Sequence, residues 1–287
     1  MEISAQLIWQ AVVNGLAMGW IYVLMALGLT LIFGIMHIMQ FAHGEIYMLG
    51  AYAVYYLTAS FKVPLFPAIA LSMLIMAVAG LIIERLLFRR LRDFLAAVIG
   101  ATGLQLILQS GAMVMFGVYQ RSIPILAQGS INIMGSVVPK DRVVAVLVAM
   151  FLSLVLYIFL RTTKFGRAMV GSAQSPEGAI LQGISPNRMA ALAMAVGCAL
   201  AAAGGVLAGS LFELNPYMGL MPLLKGMTII VLGGMGSLPG AFIGGMILGL
   251  VDGVGPVLFG HGLASIVPLF FVIVVLLIKP QGFFGHE

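Results

Sequence analysis

The 287-residue chain is 62% hydrophobic and only 8% charged, whereas an ordinary soluble domain has about 25% charged residues. A soluble fold could not cover that much apolar surface, so the composition indicates an integral membrane protein. The net charge of +5 comes from basic residues in the loops between apolar runs. That distribution is typical of membrane topology and does not indicate nucleic-acid binding.

No charged residue stands between Glu2 and Glu45, and further charge-free stretches recur along the chain. A bilayer core about 30 Å thick requires roughly 20 apolar residues in a helix. We therefore predict helices at 8–36, 42–60, 64–88, 94–117, 143–160, 190–212, 222–237, 239–258 and 262–278. The predicted fold class is an all-α integral membrane protein, a polytopic helical bundle of about eight to nine spans with broken or re-entrant helices. It forms a single transmembrane domain over residues 1–287.

Basic residues fall unevenly on the two sides of these spans. One set of loops carries nine, namely Arg85, Arg89, Arg90, Arg92, Arg161, Lys164, Arg167, Arg188 and Lys279. The opposite set carries five, namely Lys62, Arg121, Lys140, Arg142 and Lys225. Because cytoplasmic loops are enriched in Lys and Arg, the first side is predicted to be cytoplasmic, together with the C-terminus. The loop 161–189 then lies inside and the loop 118–142 outside. The side of the N-terminus depends on whether 42–60 crosses fully.

The segment HIMQFAHGE holds four polar residues at the junction of the first two predicted spans, namely His37, Gln40, His43 and Glu45. Ionisable groups inside a membrane are costly and are functional candidates by default. A metal site is disfavoured because HExxH is absent and two histidines six residues apart do not share a helical face. A catalytic site lacks a suitably placed Ser, Asp or second acid. Two interpretations remain open: a polar hinge whose Gln40, His43 and Glu45 gate or line a path, and an interfacial anchor.

Asn14, Gln105 and Gln109 are further polar residues inside apolar runs. Gln105 and Gln109 are four residues apart and share a helical face. They either line a path or hydrogen-bond a neighbouring helix, which is the commoner use of such residues. Asp252 stands near an expected helix end, where we expect its carboxylate to reach interfacial water.

The loop 161–189 contains the signals of a short capped helix. Ser175 suits the N-cap, Pro176 the first helical position and Glu177 the positive end of the helix dipole. Gly183 favours a left-handed ending, and Pro186 prevents continuation. We therefore predict a helix of about two turns over 176–182. Such a helix is too short to be stable alone, so it must pack on its own bundle or in a groove of a cytoplasmic partner.

Glycines are concentrated late in the chain, with twelve from Gly226 to Gly262. Small residues spaced by four let helix backbones approach closely in lipid. On this basis we expect five glycines at helix contacts, namely Gly205, Gly209, Gly240, Gly244 and Gly249. The segment GGMGSLPG (233–240) lacks the Gly-Lys-Ser/Thr ending of a Walker A loop, and we interpret it as a break between two short helices.

Four segments together carry a family resemblance: FAHGEIYMLGAY (41–52), RAMVGSAQSPEGAILQGISPNRM (167–189), ELNPYMGLMPLLKG (213–226) and GGMGSLPGAFIGG (233–245). They resemble segments found in the same order in the permeases of ABC importers for branched-chain amino acids. The chain looks most similar to the shorter of the two permease subunits of these systems. The combination is specific, although each motif alone is weak.

The resemblance implies one transmembrane half of a bacterial importer in the inner (plasma) membrane, with the loop 118–142 in the periplasm. The expected partners are a second homologous permease subunit, two cytoplasmic ATPase subunits, a periplasmic solute-binding protein and the lipid bilayer. No Walker motif is present. ATP-Mg is therefore expected on the ATPase subunits, with no cofactor, metal or catalytic residue in this chain.

The predicted helix at 176–182 falls where such permeases carry their coupling helix. The resemblance thus assigns ATPase coupling to five residues, namely Ser175, Pro176, Glu177, Gly183 and Ile184. Gly183 and Ile184 match the Gly-Ile pair of the family's cytoplasmic motif. The chain departs from the family in having Ser-Pro-Glu-Gly at 175–178, where relatives usually carry an acidic, alanine-rich turn. The departure concerns the detailed contact with the ATPase and not its location.

The expected function is import of branched-chain or other small amino acids, or related amides, delivered by the binding protein. A nearly uncharged interior suits a small zwitterion or amide. The alternative is an ATP-independent secondary transporter or channel for a small neutral solute. It is disfavoured because secondary carriers usually need buried ionisable residues for ion coupling, and few such residues stand within these spans.

Overall fold

The computed structural model describes residues 5–91, 93–133 and 136–260, together with 270, 273–275, 277, 279 and 282–284. Ten α-helices lie in this part of the chain: α1 (Ala5–Met36), α2 (His43–Ala59), α3 (Leu65–Leu86), α4 (Phe94–Phe116), α5 (Lys140–Thr162), α6 (Lys164–Gln174), α7 (Pro176–Leu181), α8 (Pro186–Leu211), α9 (Leu220–Gly233) and α10 (Leu238–Phe259). A 3-10 turn lies at Phe88–Arg90. Two short antiparallel strands, β1 (Ser130–Ile133) and β2 (Ser136–Pro139), form a hairpin.

Eight of the nine predicted helices are present, as α1 to α5 and α8 to α10. The ninth, 262–278, falls mostly on residues outside the described part of the chain, but its described residues 270, 273–275 and 277 are helical. Six of the described helices are long and apolar enough to cross a membrane, namely α1, α3, α4, α5, α8 and α10. The shorter helices α2 and α9 have 17 and 14 residues. The protein is therefore a polytopic helical membrane protein that combines full-length with shorter helices.

The loop 161–189 contains one more helix than its sequence predicts. Lys164–Gln174 form α6 ahead of α7. Thr163 caps it, since its hydroxyl accepts a hydrogen bond from the backbone N–H of Gly166 at 2.9 Å. Gly166 also lies directly against the backbone of Phe159 in α5. The segment resembles a loop in sequence because its glycines lower intrinsic helix propensity.

The loop 118–142 is also partly regular, as the β1–β2 hairpin shows. Gln10 of α1 donates a hydrogen bond to the carbonyl oxygen of Val137 at 3.2 Å. Arg121 and Leu214 exchange two backbone hydrogen bonds of 3.0 and 2.7 Å. These contacts tie the loop to α1 and to the connection between α8 and α9. Strands of four residues are at the lower limit of the length over which alternation predicts a strand.

The bundle has two distinct ends. We define the hairpin end by β1 and β2, which lie beside the N-terminal half of α1. The opposite end, which we call the α6–α7 end, holds the last turns of α1, since a Cβ added at Gly34 would lie 3.9 Å from Cβ of Ala173 in α6. Helix α5 connects the two ends, because it begins at the hairpin and finishes against α6.

Helices α1 and α8 form the centre of the bundle. The most apolar stretch of α1 is 78% buried and that of α8 is 72% buried. Helices α3, α4 and α5 lie at the periphery, where the corresponding values are 28%, 11% and 22%. Apolar surface of that extent requires lipid or another subunit to cover it.

Helices α1 and α10 approach each other through facing small residues, which we call the α1–α10 seam. The facing pairs are Gly253–Gly15, Gly249–Gly19 and Gly245–Val23. A Cβ added at Gly249 would lie 2.7 Å from the carbonyl oxygen of Gly15, closer than real Cβ atoms come. Spacing by four on both helices therefore allows direct backbone contact, as expected for packing in lipid.

The segment GGMGSLPG forms the predicted break between α9 and α10. Helix α9 ends at Gly233, and Gly234 and Gly236 follow with φ values of 99° and 85°. Ser237 then caps α10, because its hydroxyl accepts a hydrogen bond from the backbone N–H of Gly240 at 3.2 Å. The left-handed glycines turn the chain, and the cap restarts the helix.

Candidate translocation and coupling sites

The segment 37–42 carries the chain from the end of α1 back into the bundle. His37 has a left-handed φ of 55° and is exposed. His43 begins α2 and lies against α1, where a Cβ added at Gly28 would come 3.0 Å from Nε2 of His43. Gly28 precedes Met36, the last residue of α1, by about 12 Å along the helix axis at 1.5 Å per residue. Helix α2 therefore begins deep inside the bundle.

Gln40, His43 and Glu45, which we call the buried polar cluster, are each at most 1% exposed. Gln40 donates a weak hydrogen bond to Sδ of Met194 in α8 at 3.7 Å. The side chains of His43 and Glu45 make no hydrogen bond with any described residue. A solvated interfacial anchor would be exposed, so that interpretation does not fit Glu45. Across the described chain, no three His, Cys, Asp or Glu side chains form a group that could hold a metal.

Gln105 and Gln109 lie on α4, away from the centre of the bundle. Both are half-buried on a helix whose apolar stretch is only 11% buried. Neither makes a side-chain hydrogen bond with another described residue. Helix α4 instead packs on α2 through Phe116, whose ring stacks on Tyr52 with centroids 4.3 Å apart. The two glutamines therefore lie at the edge of this chain, where lipid or another subunit would meet them.

Helix α7 has the caps that its sequence predicts. Oγ of Ser175 accepts a hydrogen bond from the backbone N–H of Gly178 at 3.1 Å, and Pro176 is the first helical residue. The helix ends at Leu181, one residue earlier than predicted. Gly183 follows with a left-handed φ of 76°, and a Cβ added there would meet no atom within 4 Å. Backbone conformation, and not lack of space, therefore explains the glycine at 183.

Helix α7 presents apolar side chains away from the bundle. Leu181 is 87% exposed and Ile180 is 54% exposed, whereas Ala179 beneath them is buried. Glu177 is exposed beside them, and Ile184 is half-buried. We call Ile180 and Leu181 the docking face. Two large aliphatic side chains on so short a helix favour contact with another protein surface.

The five glycines expected at helix contacts all lie close to a neighbouring segment. Gly249 lies in the α1–α10 seam, Gly240 and Gly244 against α9, Gly205 against α2, and Gly209 against Ile123 and Leu214. In each case an added Cβ would come within 3.2 Å of another atom. Close approach, and not backbone conformation, therefore requires a small residue at these positions.

An ion pair between α9 and α10 is a feature that sequence reasoning missed. Asp252 pairs with Nζ of Lys225 and accepts a hydrogen bond from Oη of Tyr22 at 2.7 Å. Lys225 also donates to Oη of Tyr22 at 2.8 Å. Both residues lie within helices, as the predicted helices 222–237 and 239–258 have them. The expectation that the carboxylate of Asp252 reaches interfacial water missed its pairing with Lys225. The sequence did contain a signal for this ion pair. Asp252 stands alone between two charge-free runs, and a lone charge inside a membrane needs a partner.

Comparison with known proteins agrees with this architecture. The family model for the branched-chain amino acid transport system / permease component matches residues 11–278. The chain is 33% identical to the high-affinity branched-chain amino acid transport system permease protein BraD of Pseudomonas aeruginosa, over 96% of this chain and 95% of BraD. It is 35% identical to LivH of Salmonella typhimurium and 34% identical to LivH of Escherichia coli, with the same coverage. The chain therefore belongs to the family of permease components of branched-chain amino acid transport systems.

Proposed function

We propose that this chain is one transmembrane half of an ATP-driven importer that carries branched-chain amino acids across the bacterial inner membrane. The nearly full-length match to the permease family supports this function. The sequence carries no Walker motif, so ATP-Mg binds to separate ATPase subunits. A second homologous permease and a periplasmic solute-binding protein complete the proposed assembly.

In this proposal the α6–α7 end faces the cytoplasm and the hairpin end faces the periplasm. Helix α3 runs towards the α6–α7 end, because its Gly80 packs against Met194 in the first half of α8. The described basic residues at this end are Arg85, Arg89, Arg90, Arg161, Lys164, Arg167, Arg188 and Lys279. The positive-inside rule then supports a cytoplasmic location for α6 and α7.

The exposed docking face of α7 is the observation that carries the proposal. A capped two-turn helix with two exposed aliphatic side chains fits a groove on a cytoplasmic ATPase subunit. Ser175, Pro176 and Gly183 fix the position and length of this helix, and Glu177 and Ile184 flank the docking face. The whole segment 161–189 then serves as the coupling loop.

Helix α8 provides a physical connection from α7 to the buried polar cluster. It begins at Pro186, directly after the coupling loop, and runs unbroken to Leu211. Its Met194 accepts the hydrogen bond from Gln40, and its Gly197 lies against Gly28 of α1, beside His43. A movement of α7 driven by the ATPase would therefore shift the surroundings of Gln40, His43 and Glu45. On this basis the cluster acts as a gate.

Co-purification and uptake test the proposal. The chain, produced with its second permease and two ATPase subunits, should purify as one complex. In proteoliposomes this complex should take up L-leucine only with ATP and the loaded binding protein. Equal uptake without the ATPase subunits would favour an ATP-independent carrier and contradict the proposed function.

A further inference from the structure

A pocket of about 220 Å³ lies at the hairpin end, where α1, α5 and α10 meet the end of α8. Its walls combine three polar residues, Asn14, Arg142 and Asp252, with apolar residues that include Met18, Leu211 and Phe212. Pockets for drug-sized ligands measure about 300–1,000 Å³. This pocket is smaller, so it suits a solute with few atoms.

The pocket contains charges of both signs. Arg142 donates a hydrogen bond to Asn14 but forms no ion pair with a described residue. A guanidinium has five N–H donors, so several remain for another acceptor. Asp252 uses Oδ2 for both Tyr22 and Lys225, and Oδ1 accepts no hydrogen bond from the described residues. The pocket thus offers N–H donors to an anion and a carboxylate oxygen to a cation.

We infer that this pocket is a recognition site for the zwitterionic amino acid as it enters the bundle, an inference that rests on the proposed function. Arg142 binds the α-carboxylate of the amino acid, because a guanidinium matches the geometry of a carboxylate. Oδ1 of Asp252 accepts a hydrogen bond from the α-ammonium. Met18, Leu211 and Phe212 contact the aliphatic side chain.

The arrangement of charges discriminates between classes of small solute. A dicarboxylate would bring a second anion towards Asp252, and a diamine would bring a second cation towards Arg142. A neutral amide would leave Arg142 without a matching anion. A site built for polar groups rejects analogues that lack them, because its own groups then remain unpaired. A zwitterion with a small apolar side chain offers a carboxylate to Arg142, an ammonium to Asp252 and apolar atoms to the apolar wall of the pocket.

Uptake of radiolabelled L-leucine by the full importer in proteoliposomes tests the site. At matched permease levels, Arg142→Gln and Asp252→Asn should each lower uptake at least about tenfold, the effect of losing one charge-assisted hydrogen bond. Lys140→Gln is the matched control, since it removes an exposed neighbouring cation that does not line the pocket. It should retain wild-type uptake. Wild-type uptake in Arg142→Gln would overturn the inference.

An exchanged ion pair separates recognition from a purely structural role of Asp252. The double variant Asp252→Lys with Lys225→Asp keeps opposite charges together but reverses the charge at position 252. We expect normal amounts in the membrane and L-leucine uptake that stays at least about tenfold low. Restored uptake would assign Asp252 a structural role alone. Failure of the wild-type importer to take up L-leucine would instead contradict the proposed function.

Thiol labelling tests occupancy of the pocket directly. The single cysteine of the chain, Cys198, is buried and should not react. Met18→Cys in the full importer should react with a membrane-impermeant cationic thiol reagent. Leucine-loaded binding protein should slow this reaction several-fold relative to unloaded binding protein. Equal labelling rates would show that leucine does not occupy the pocket and would overturn the inference.

Discussion

Glu45 lies in the first turn of α2 with its side chain fully buried. Neither carboxylate oxygen accepts a hydrogen bond from a described residue. Burial of an unpaired polar group destabilises a protein. The helix dipole offsets part of this cost, because it favours negative charge at a helix N-terminus. A residue retained at such a cost inside a membrane bundle is a functional candidate.

Glu45→Gln should lower transport without lowering stability. The substitution keeps the size of the side chain and removes the acidic group. If that group serves gating, L-leucine uptake should fall by about tenfold, which corresponds to about 1.4 kcal/mol. The thermal stability of the purified complex should stay equal or rise, because a neutral amide is easier to bury than a carboxylate.

Glu213→Gln is the control for this experiment, since Glu213 is an exposed acid at the hairpin end. It should leave both uptake and stability unchanged. His43→Ala should also lower uptake, at matched membrane levels. Wild-type uptake in both Glu45→Gln and His43→Ala would remove the buried polar cluster from the functional site.

At the scale of secondary-structure elements, α7 depends on the backbone conformation that follows it. Gly183→Val places a β-branched residue at a left-handed φ, which costs about 1–2 kcal/mol. The end of α7 should shift, so ATPase association and uptake should both decrease. Gly171→Val is the matched control, because Gly171 also has free space for a Cβ but lies within α6 without a left-handed φ. Equal effects of the two substitutions on ATPase pull-down would contradict this account.

The α1–α10 seam should not tolerate a larger side chain. Gly249→Leu would force α10 away from Gly15 and Gly19, and overpacking of this kind costs about 1–3 kcal/mol or more. We expect less folded permease in the membrane and a lower melting temperature of the purified complex. Ile243→Leu on an exposed part of the same helix should be neutral. Equal melting temperatures for the two variants would show that the seam is not close-packed.

At the scale of the whole molecule, the two ends of the bundle should face opposite sides of the membrane. Leu181→Cys on the docking face and Tyr119→Cys in the loop 118–142 both introduce a thiol at a highly exposed position. In intact cells, a membrane-impermeant thiol reagent should label Tyr119→Cys alone. In inverted vesicles it should label Leu181→Cys alone. The reverse pattern would invert the proposed topology and exclude α7 as the contact with the ATPase.

The sequence correctly predicted those structural features whose signals lie within a few neighbouring residues. Ser175, Pro176 and Gly183 predict α7 to within one residue, because caps act within a single helical turn. The glycines of GGMGSLPG predict the break between α9 and α10 for the same reason. Charge-free runs predict the membrane helices, since the thickness of the bilayer sets their minimum length. Helix α6 was missed because its caps and packing outweigh its low intrinsic propensity.

The arrangement of the candidate sites required the tertiary structure. Hydropathy alone cannot show that Lys225 pairs with Asp252, 27 residues away, because the pairing depends on how α9 packs against α10. Hydropathy also cannot show that α2 begins beside Gly28. Because of this packing, Glu45 is buried, whereas the sequence places it at the membrane boundary. The sequence by itself determined the class of protein, most of its helices and their caps, since these depend on neighbouring residues and the bilayer. Only the packing of distant helices decided which polar groups meet, because residues far apart in the chain are brought together by tertiary contacts alone.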